Sequence, residues 1–295
     1  VSRSDKWKHR LEYAALQIVA HTVGNLPLGA AMTVSAAFAR SIGMRTSLRR
    51  RSERNLAYAM PDLTESERAD ILERMFDNLA RVALEYRYLR RLSTEPDRFT
   101  VSGLEHVNAA REAGKGAVLA TGHFGNWEMI RVALARHGWP PALIYRAFNN
   151  PLFDDYAAAM MRVTDAPLFH KGRRGSLGML RHIRAGGCTL ILTDQRFSRA
   201  PEIPFFGKPA KTSLGPAEIA VNYGAVLLPV RSERVGKSSR FHVTVEPPIA
   251  TEECEPTKVA AEINLRLESW VREKPEQYFW MHNRWGKDAL RTARQ

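Results

Sequence analysis

The spacing of apolar residues along this chain switches repeatedly between two periods. Residues 117–120, Ala-Val-Leu-Ala, form an uncharged run of strand length. From Trp127 onward the spacing becomes helical, through Ile130 and Leu134. Between the two, Gly122 and Gly125 flank His123, so residues 116–134 predict a buried strand, a tight glycine turn and a helix. The alternation then recurs. Strands are expected over 141–146, 188–193 and 225–230, and a period-two strand at a sheet edge over 241–246. Helices are expected over 153–163, 179–184, 214–222 and 259–271. Strands alternating with helices predict an α/β fold, with a mainly parallel sheet flanked by helices on both faces. Ligands of such sheets collect at the carboxyl ends of the strands. His123, Arg146 and Asp194 each follow a predicted strand, so the pattern brings them towards one edge.

The amino-terminal region reads differently. Residues 13–39 carry no formal charge with His21 neutral, a length that can span a bilayer. Gln17, His21, Asn25 and Pro27 interrupt the run, and it is rich in alanine. No small-residue cleavage site closes a compact apolar core, so it is not read as a signal peptide. Lys6 and Lys8 stand on one flank, and Arg45, Arg49, Arg50 and Arg51 on the other. Basic clusters at both ends suit helices lying in the interface of an anionic membrane, with Trp7 and Tyr13 at headgroup depth. The alternative is a pair of soluble helices broken at Asn25-Leu26-Pro27. Residues 1–54 are therefore read as a helical membrane-associating arm and 55–295 as the α/β domain. Within 55–92, Thr64 followed by Glu67 is a helix start signal, and Ile71, Leu72, Met75, Leu79, Val82 and Leu89 mark a core-facing stripe.

Composition sharpens this. The 295 residues are 44% hydrophobic, enough for one large domain with an arm. The net charge is +13, of which residues 1–54 supply +7, with ten Lys/Arg against three Asp/Glu. Such an arm calls for an anionic partner. Membrane lipid is favoured over nucleic acid, because the charge sits beside an apolar segment and no nucleic-acid motif appears. Cys188 and Cys254 are too few and too far apart for a zinc ribbon or a disulfide framework.

The candidate chemistry lies in the glycine turn. On one continuous helix His123 and Glu128 would point about 140° apart. With the imidazole in the turn and the carboxylate in the first helical turn, they can meet. A carboxylate on one ring nitrogen fixes the tautomer and leaves the other nitrogen to accept a proton. That makes His123 a candidate general base and Glu128 its orienting acid. Backbone N–H groups near Gly125 and Asn126 would favour developing negative charge. The alternative is that His123 only packs under the turn. No Gly-x-Ser-x-Gly elbow exists, which disfavours a serine nucleophile. Gly236-Lys237-Ser238 lacks the earlier glycine of a phosphate loop, position 231 being Arg. No Cys/His cluster beside His123 completes a zinc site, so no metal or other cofactor is expected.

His123-Phe-Gly-Asn-Trp-Glu128 after a strand resembles the late acyltransferases of lipid A biosynthesis, the lauroyl and myristoyl transferases of the wider lysophospholipid acyltransferase group. Two further stretches fit. Asp194-Gln195-Arg196 followed by Pro204-Phe205-Phe206-Gly207 resembles the family's second long motif, and the run from Pro275 to Trp285 its C-terminal one. The family pattern has a basic residue where this chain has Asn283. The resemblance spans roughly residues 5 to 290 and implies a glycerolipid-acyltransferase-like fold. The implied donor is an acyl-carrier-protein thioester, or acyl-CoA. The implied acceptor is a hydroxyl of a lipid A precursor, or of another glycolipid such as phosphatidylinositol mannoside. The implied location is the cytoplasmic face of a bacterial inner membrane. Arg146 would stabilise the oxyanion or bind a headgroup, with Asp194 and Gln195 in the substrate site. Asp194 has the alternative of a structural cap. Phe205 and Phe206 would line an acyl channel, or else form ordinary core. Arg284 would meet a phosphate, or else pair with a carboxylate.

Overall fold

The computed structural model describes residues 3–24 and 26–286. Four helices open the chain: α1 (Arg3–Gly24), α2 (Leu28–Gly43), α3 (Ser47–Ala59) and α4 (Glu65–Thr94). Then come β1 (Phe99–Ser102), α5 (Leu104–Glu112), β2 (Ala117–Thr121), α6 (Glu128–Arg136), β3 (Ala142–Tyr145) and α7 (Pro151–Met161). The chain continues through β4 (Leu168–His170), α8 (Arg173–Arg184), β5 (Cys188–Leu192), β6 (Glu202–Phe205) and β7 (Lys208–Lys211). It closes with α9 (Gly215–Tyr223), β8 (Val226–Arg234), β9 (Phe241–Val245) and α10 (Pro256–Glu273).

Seven strands form one sheet in the order β1-β9-β8-β2-β5-β3-β4. Neighbours from β8 to β4 all pair in parallel. The expected α/β architecture is thus present, with β2 buried along its whole length as its uncharged run implied. The strand expected at an edge, β9, is interior. It pairs antiparallel with β8 and parallel with β1, and β1 takes the edge. The sequence reading misses β1 because its four residues, Phe-Thr-Val-Ser, are too short to show a period. It misses β4 and the separate β6–β7 hairpin for the same reason.

Thr64 caps α4 as its spacing predicts. Its hydroxyl accepts from the Glu67 N–H, and the Glu67 carboxylate accepts from the Thr64 N–H at 2.7 Å. Such a cap contributes about 1 kcal/mol. The arm is packed against the domain. Leu28 and Met32 of α2 are buried with Leu89 and Leu92 of α4 and with Met129, Val132 and Phe241. Position 54, the expected end of the arm, falls inside α3, whose Ser52, Asn55, Leu56 and Ala59 are buried. The break expected at residues 25–27 falls where α1 gives way to α2, although Asn25 lies outside the described residues. Among the described residues, no helix is long and apolar enough to cross a membrane.

Candidate active site

β2 ends at Thr121, and Gly122 to Asn126 turn the chain into α6. Gly125 makes the turn possible. It has φ +57°, and a Cβ there would stand 1.7 Å from the Ser232 carbonyl oxygen. Its N–H donates to the Gln277 carbonyl at 2.9 Å, and Phe279 N–H donates to the His123 carbonyl at 3.0 Å. The segment after α10 is therefore zipped against the His123 turn. Because the Gly125 N–H is taken by Gln277, it is not the free oxyanion donor that the sequence suggested.

The carboxylate on the His123 ring belongs to Asp194, not to Glu128. Asp194 follows β5, the parallel neighbour of β2, so both residues leave the sheet at one edge. Asp194 Oδ1 accepts from His123 Nδ1 at 2.8 Å, and Oδ2 accepts from the His123 backbone N–H at 3.0 Å. Burial alone would raise the Asp194 carboxyl. The charge and hydrogen bonds of His123, with His282 adding to them, outweigh burial and hold it well below the usual carboxylate range. Asp194 also does the local structural work of a cap, since one of its oxygens fixes the turn's backbone.

His282 completes the cluster. Its Nε2 lies 3.3 Å from His123 Nδ1, with ring centroids 4.4 Å apart and nearly perpendicular. Burial, and then the charges of His123 and Arg284, push the His282 imidazole down to about 4, against the opposing pull of Asp194. It is neutral near pH 7. The assignment that satisfies all contacts gives His123 a proton on Nδ1, shared between Asp194 and the unprotonated Nε2 of His282. His123 Nε2 is then left with its lone pair. Trp127, at 4.8 Å between centroids, and Phe279, at 5.7 Å, pack against the same imidazole.

Glu128 has other partners because Arg131 sits one helical turn on. Both are fully buried, and Arg131 Nη1 donates to Glu128 Oε2 at 2.8 Å. The same guanidinium donates to the carbonyls of Pro141 and Met161 and to Thr164 Oγ1. The other Glu128 oxygen accepts from the Tyr86 hydroxyl at 3.3 Å, and that hydroxyl accepts from Trp127 Nε1 at 3.2 Å. Glu128 thus reaches His123 only indirectly, through Tyr86 and then the Trp127 ring. Asn126 is likewise internal. Its Oδ1 accepts from the Glu128 N–H, and its Nδ2 donates to Glu85 Oε2 at 2.7 Å. Glu85 is fully buried and pairs through both oxygens with Arg234.

The remaining expected residues separate. Arg146 follows β3, which lies beyond β5 from β2, and it is exposed. Strand spacing puts its backbone about 10 Å from that of His123. Gln195 is exposed beside Asp194. Phe205 and Phe206 are core residues rather than channel walls. Both are buried, and Phe205 stacks on Trp285 with centroids 5.6 Å apart. Arg284 is no phosphate ligand. It is 1% exposed, and it donates to the Lys211 carbonyl, Thr212 Oγ1 and Asn264 Oδ1. The β6–β7 hairpin and α10 close around it.

Sequence reasoning assigns no role to His282, Arg131 or Glu85, although His282 lies in the C-terminal run and Leu84-Glu85 resembles the family's N-terminal region. Two leave a signal: Arg131 interrupts the apolar run of α6, and Glu85 stands between Val82 and Leu89 on the core-facing stripe. His282 leaves less, being one polar residue after the aromatic run Tyr278-Phe279-Trp280. His123, Asp194 and His282 are also a group of possible metal ligands, with ligand atoms within 4.8 Å of one another. A metal there would take His123 Nδ1 and leave its Nε2 protonated, which removes the base.

Fold and site together define an α/β protein with a carboxylate-paired histidine at the carboxyl edge of its central sheet. The chain belongs to the bacterial lipid A biosynthesis acyltransferase family, whose model matches residues 4–287. It is 27% identical over 237 residues to the lipid A biosynthesis acyltransferase of Haemophilus influenzae, covering 79% of this chain and 74% of that one. It is 25% identical over 245 residues to the lipid A biosynthesis lauroyltransferase of Escherichia coli, covering 78% and 76%. It is also 33% identical over 159 residues to a phosphatidylinositol mannoside acyltransferase of Mycobacterium tuberculosis, covering 52% and 50%. The expected family resemblance is borne out, and with it the class of an O-acyltransferase.

Proposed function

We propose that the protein moves a fatty acyl group from an acyl-carrier-protein thioester to a hydroxyl of a lipid A precursor. The observation that carries the mechanism is the 2.8 Å bond between His123 Nδ1 and the buried Asp194 carboxylate. It leaves His123 Nε2 as the acceptor for the hydroxyl proton. The hydroxyl oxygen bonds to the thioester carbonyl carbon as Nε2 takes the proton. Asp194 holds the imidazolium that forms. The tetrahedral intermediate then expels the thiolate, which takes the proton back from Nε2, so the products are an ester and a free thiol. Arg146 supplies positive charge for the oxyanion or a headgroup. Glu128 acts as a positioning residue through Arg131, Tyr86 and Trp127. The basic helices of the arm support a location at an anionic leaflet, the cytoplasmic face of the inner membrane.

The larger coverage of the lipid A acyltransferases favours a lipid A precursor as acceptor over phosphatidylinositol mannoside. The test supplies label in the acyl chain of either an acyl-carrier-protein thioester or acyl-CoA, with each acceptor in turn. Label on the lipid A precursor from the carrier thioester is the expected result, and His123→Ala should reduce it about 10²–10⁴-fold. Label appearing chiefly as free fatty acid, or on the protein itself, would overturn the direct-attack mechanism.

A further inference from the structure

The turn between β8 and β9 carries Gly236-Lys237-Ser238, which is not a phosphate loop yet borders a cationic cavity. The cavity has a volume of about 620 Å³ and lies between α2, α4 and this turn. Five cations line it: Arg40, Arg81, Arg91, Arg98 and Lys237. Asp77 is the one carboxylate among the lining residues. Asp77 binds Arg81 at 2.6 Å, Glu73 binds Arg40 at 3.3 Å, and Glu95 binds Arg91 at 2.8 Å and also Arg98. Five cations against three carboxylates leave an excess of two. Among the described residues, the Lys237 ammonium has no carboxylate partner.

The α2 wall carries an apolar stretch, Leu28, Met32 and Ala37, beside Thr33 and Arg40 of the same helix. On the same helix Val34 is 55% exposed and Phe38 is 67% exposed. A nucleotide or a free sugar phosphate has no use for such a wall, whereas a lipid satisfies both halves. The position is also telling. The turn extends beyond the carboxyl end of β8, the neighbour of β2, so the cavity lies along the sheet edge that carries His123. Ser239 at the cavity donates to Glu85 at 2.8 Å, the carboxylate that also holds Asn126 in the His123 turn.

We propose that this cavity binds a phosphate-bearing lipid, its phosphate on the cations and an acyl chain along Leu28, Met32 and Ala37. The phosphate has two possible sources, the acceptor lipid itself or a bystander phospholipid of the membrane.

The test measures binding without turnover, so it stands apart from the acyl-transfer mechanism. The full chain in zwitterionic micelles is titrated by calorimetry with dihexanoyl phosphatidic acid, dihexanoyl phosphatidylcholine or inorganic phosphate. Phosphatidic acid should bind one to one, and the other two far more weakly. The double variant Arg91→Glu/Lys237→Glu changes side chains that are exposed, so the fold should survive. At about fivefold per basic group, it should weaken binding roughly 25-fold or more. Lys258→Glu, away from the cavity, should leave binding unchanged. No binding of phosphatidic acid, equal affinity for phosphatidylcholine or inorganic phosphate, or full affinity in the double variant would overturn the proposal. A raised acceptor KM in the double variant assigns the phosphate to the acceptor, and an unchanged KM assigns it to a bystander lipid.

Discussion

Replacing Asp194 by asparagine changes one atom of the buried cluster and separates its two duties. In the native protein the two carboxylate oxygens accept two different protons, one from His123 Nδ1 and one from the His123 backbone. An amide has one acceptor and one donating group, so the Asp194→Asn side chain cannot do both. With its oxygen on Nδ1–H, its NH2 faces the backbone N–H, donor against donor. With its oxygen on the backbone N–H, its NH2 donates to Nδ1 and drives the ring to the Nε2–H tautomer. That tautomer cannot accept the hydroxyl proton.

Asp194 is 0% exposed, so water does not relieve either arrangement. One unsatisfied buried group costs about 1–3 kcal/mol of stability. The loss in kcat should be larger than that cost suggests, about 10³–10⁴-fold. The imidazolium loses its counter-charge as well as its tautomer, as in the Ser-His-Asp arrangement, where the same exchange costs about 10⁴. The assay is transfer of a labelled acyl chain to the lipid acceptor under saturating donor, alongside circular dichroism and urea unfolding. A folded Asp194→Asn protein working within tenfold of the parent would refute the reasoning.

Other outcomes follow from the same geometry. Arg131→Met leaves the Glu128 charge buried without its partner and should cost about 3–5 kcal/mol in urea unfolding, and a loss below about 1 kcal/mol would contradict that reading. The His282 imidazole titrates near 4 when folded and at its ordinary value of 6.5 when free, so its contribution is complete above 6.5 and is lost as pH falls towards 4. The parent should lose about 3 kcal/mol more than His282→Gln across that window, as urea midpoints will show. Truncation before Leu28 should weaken binding to anionic vesicles yet leave thermal unfolding cooperative. Truncation through residue 51 should destabilise the domain, because it strips the buried Leu28 and Met32. Acyl transfer should persist in excess chelator, and activity that returns only with zinc would support a metal mechanism instead.

The parts legible in the sequence are those with long-range redundancy. β2, β5 and β8 announce themselves because burial on both faces leaves few polar residues in their cores. The turn at His123 is legible because only glycine tolerates φ +57° against a neighbouring carbonyl. The choice between Asp194 and Glu128 is not. Glu128 is five residues from His123, and Asp194 is 71 away. Only the pairing of β2 with β5 brings Asp194 alongside, and sheet order is not written in any local period. Arg131 then takes the nearer carboxylate. Arg284 is misread for a similar reason. Its role is decided by the hairpin at Lys211–Thr212 and by Asn264, which fold around it from distant parts of the chain.

Three buried carboxylates hold the His123 turn, and charge decides which of them acts on the imidazole. Glu85 is neutralised by Arg234, and Glu128 by Arg131. Each arginine also ties together elements that the sheet alone does not connect. Glu85 and Arg234 tie α4 to the end of β8, and Arg131 reaches from α6 to the Met161 carbonyl of α7. Among the described residues, Asp194 has no arginine of that kind. Its charge is answered by His123, whose proton count changes during the proposed reaction. Two carboxylates with permanent counter-ions therefore fix the helix start, and the third, paired with a titrating group, is free to stabilise an imidazolium. Exchanging the partners would fail, because an arginine on Asp194 would cancel the field that favours His123 taking a proton. On this reading Glu85 and Glu128 anchor the turn, and Asp194 supplies the charge that drives proton transfer.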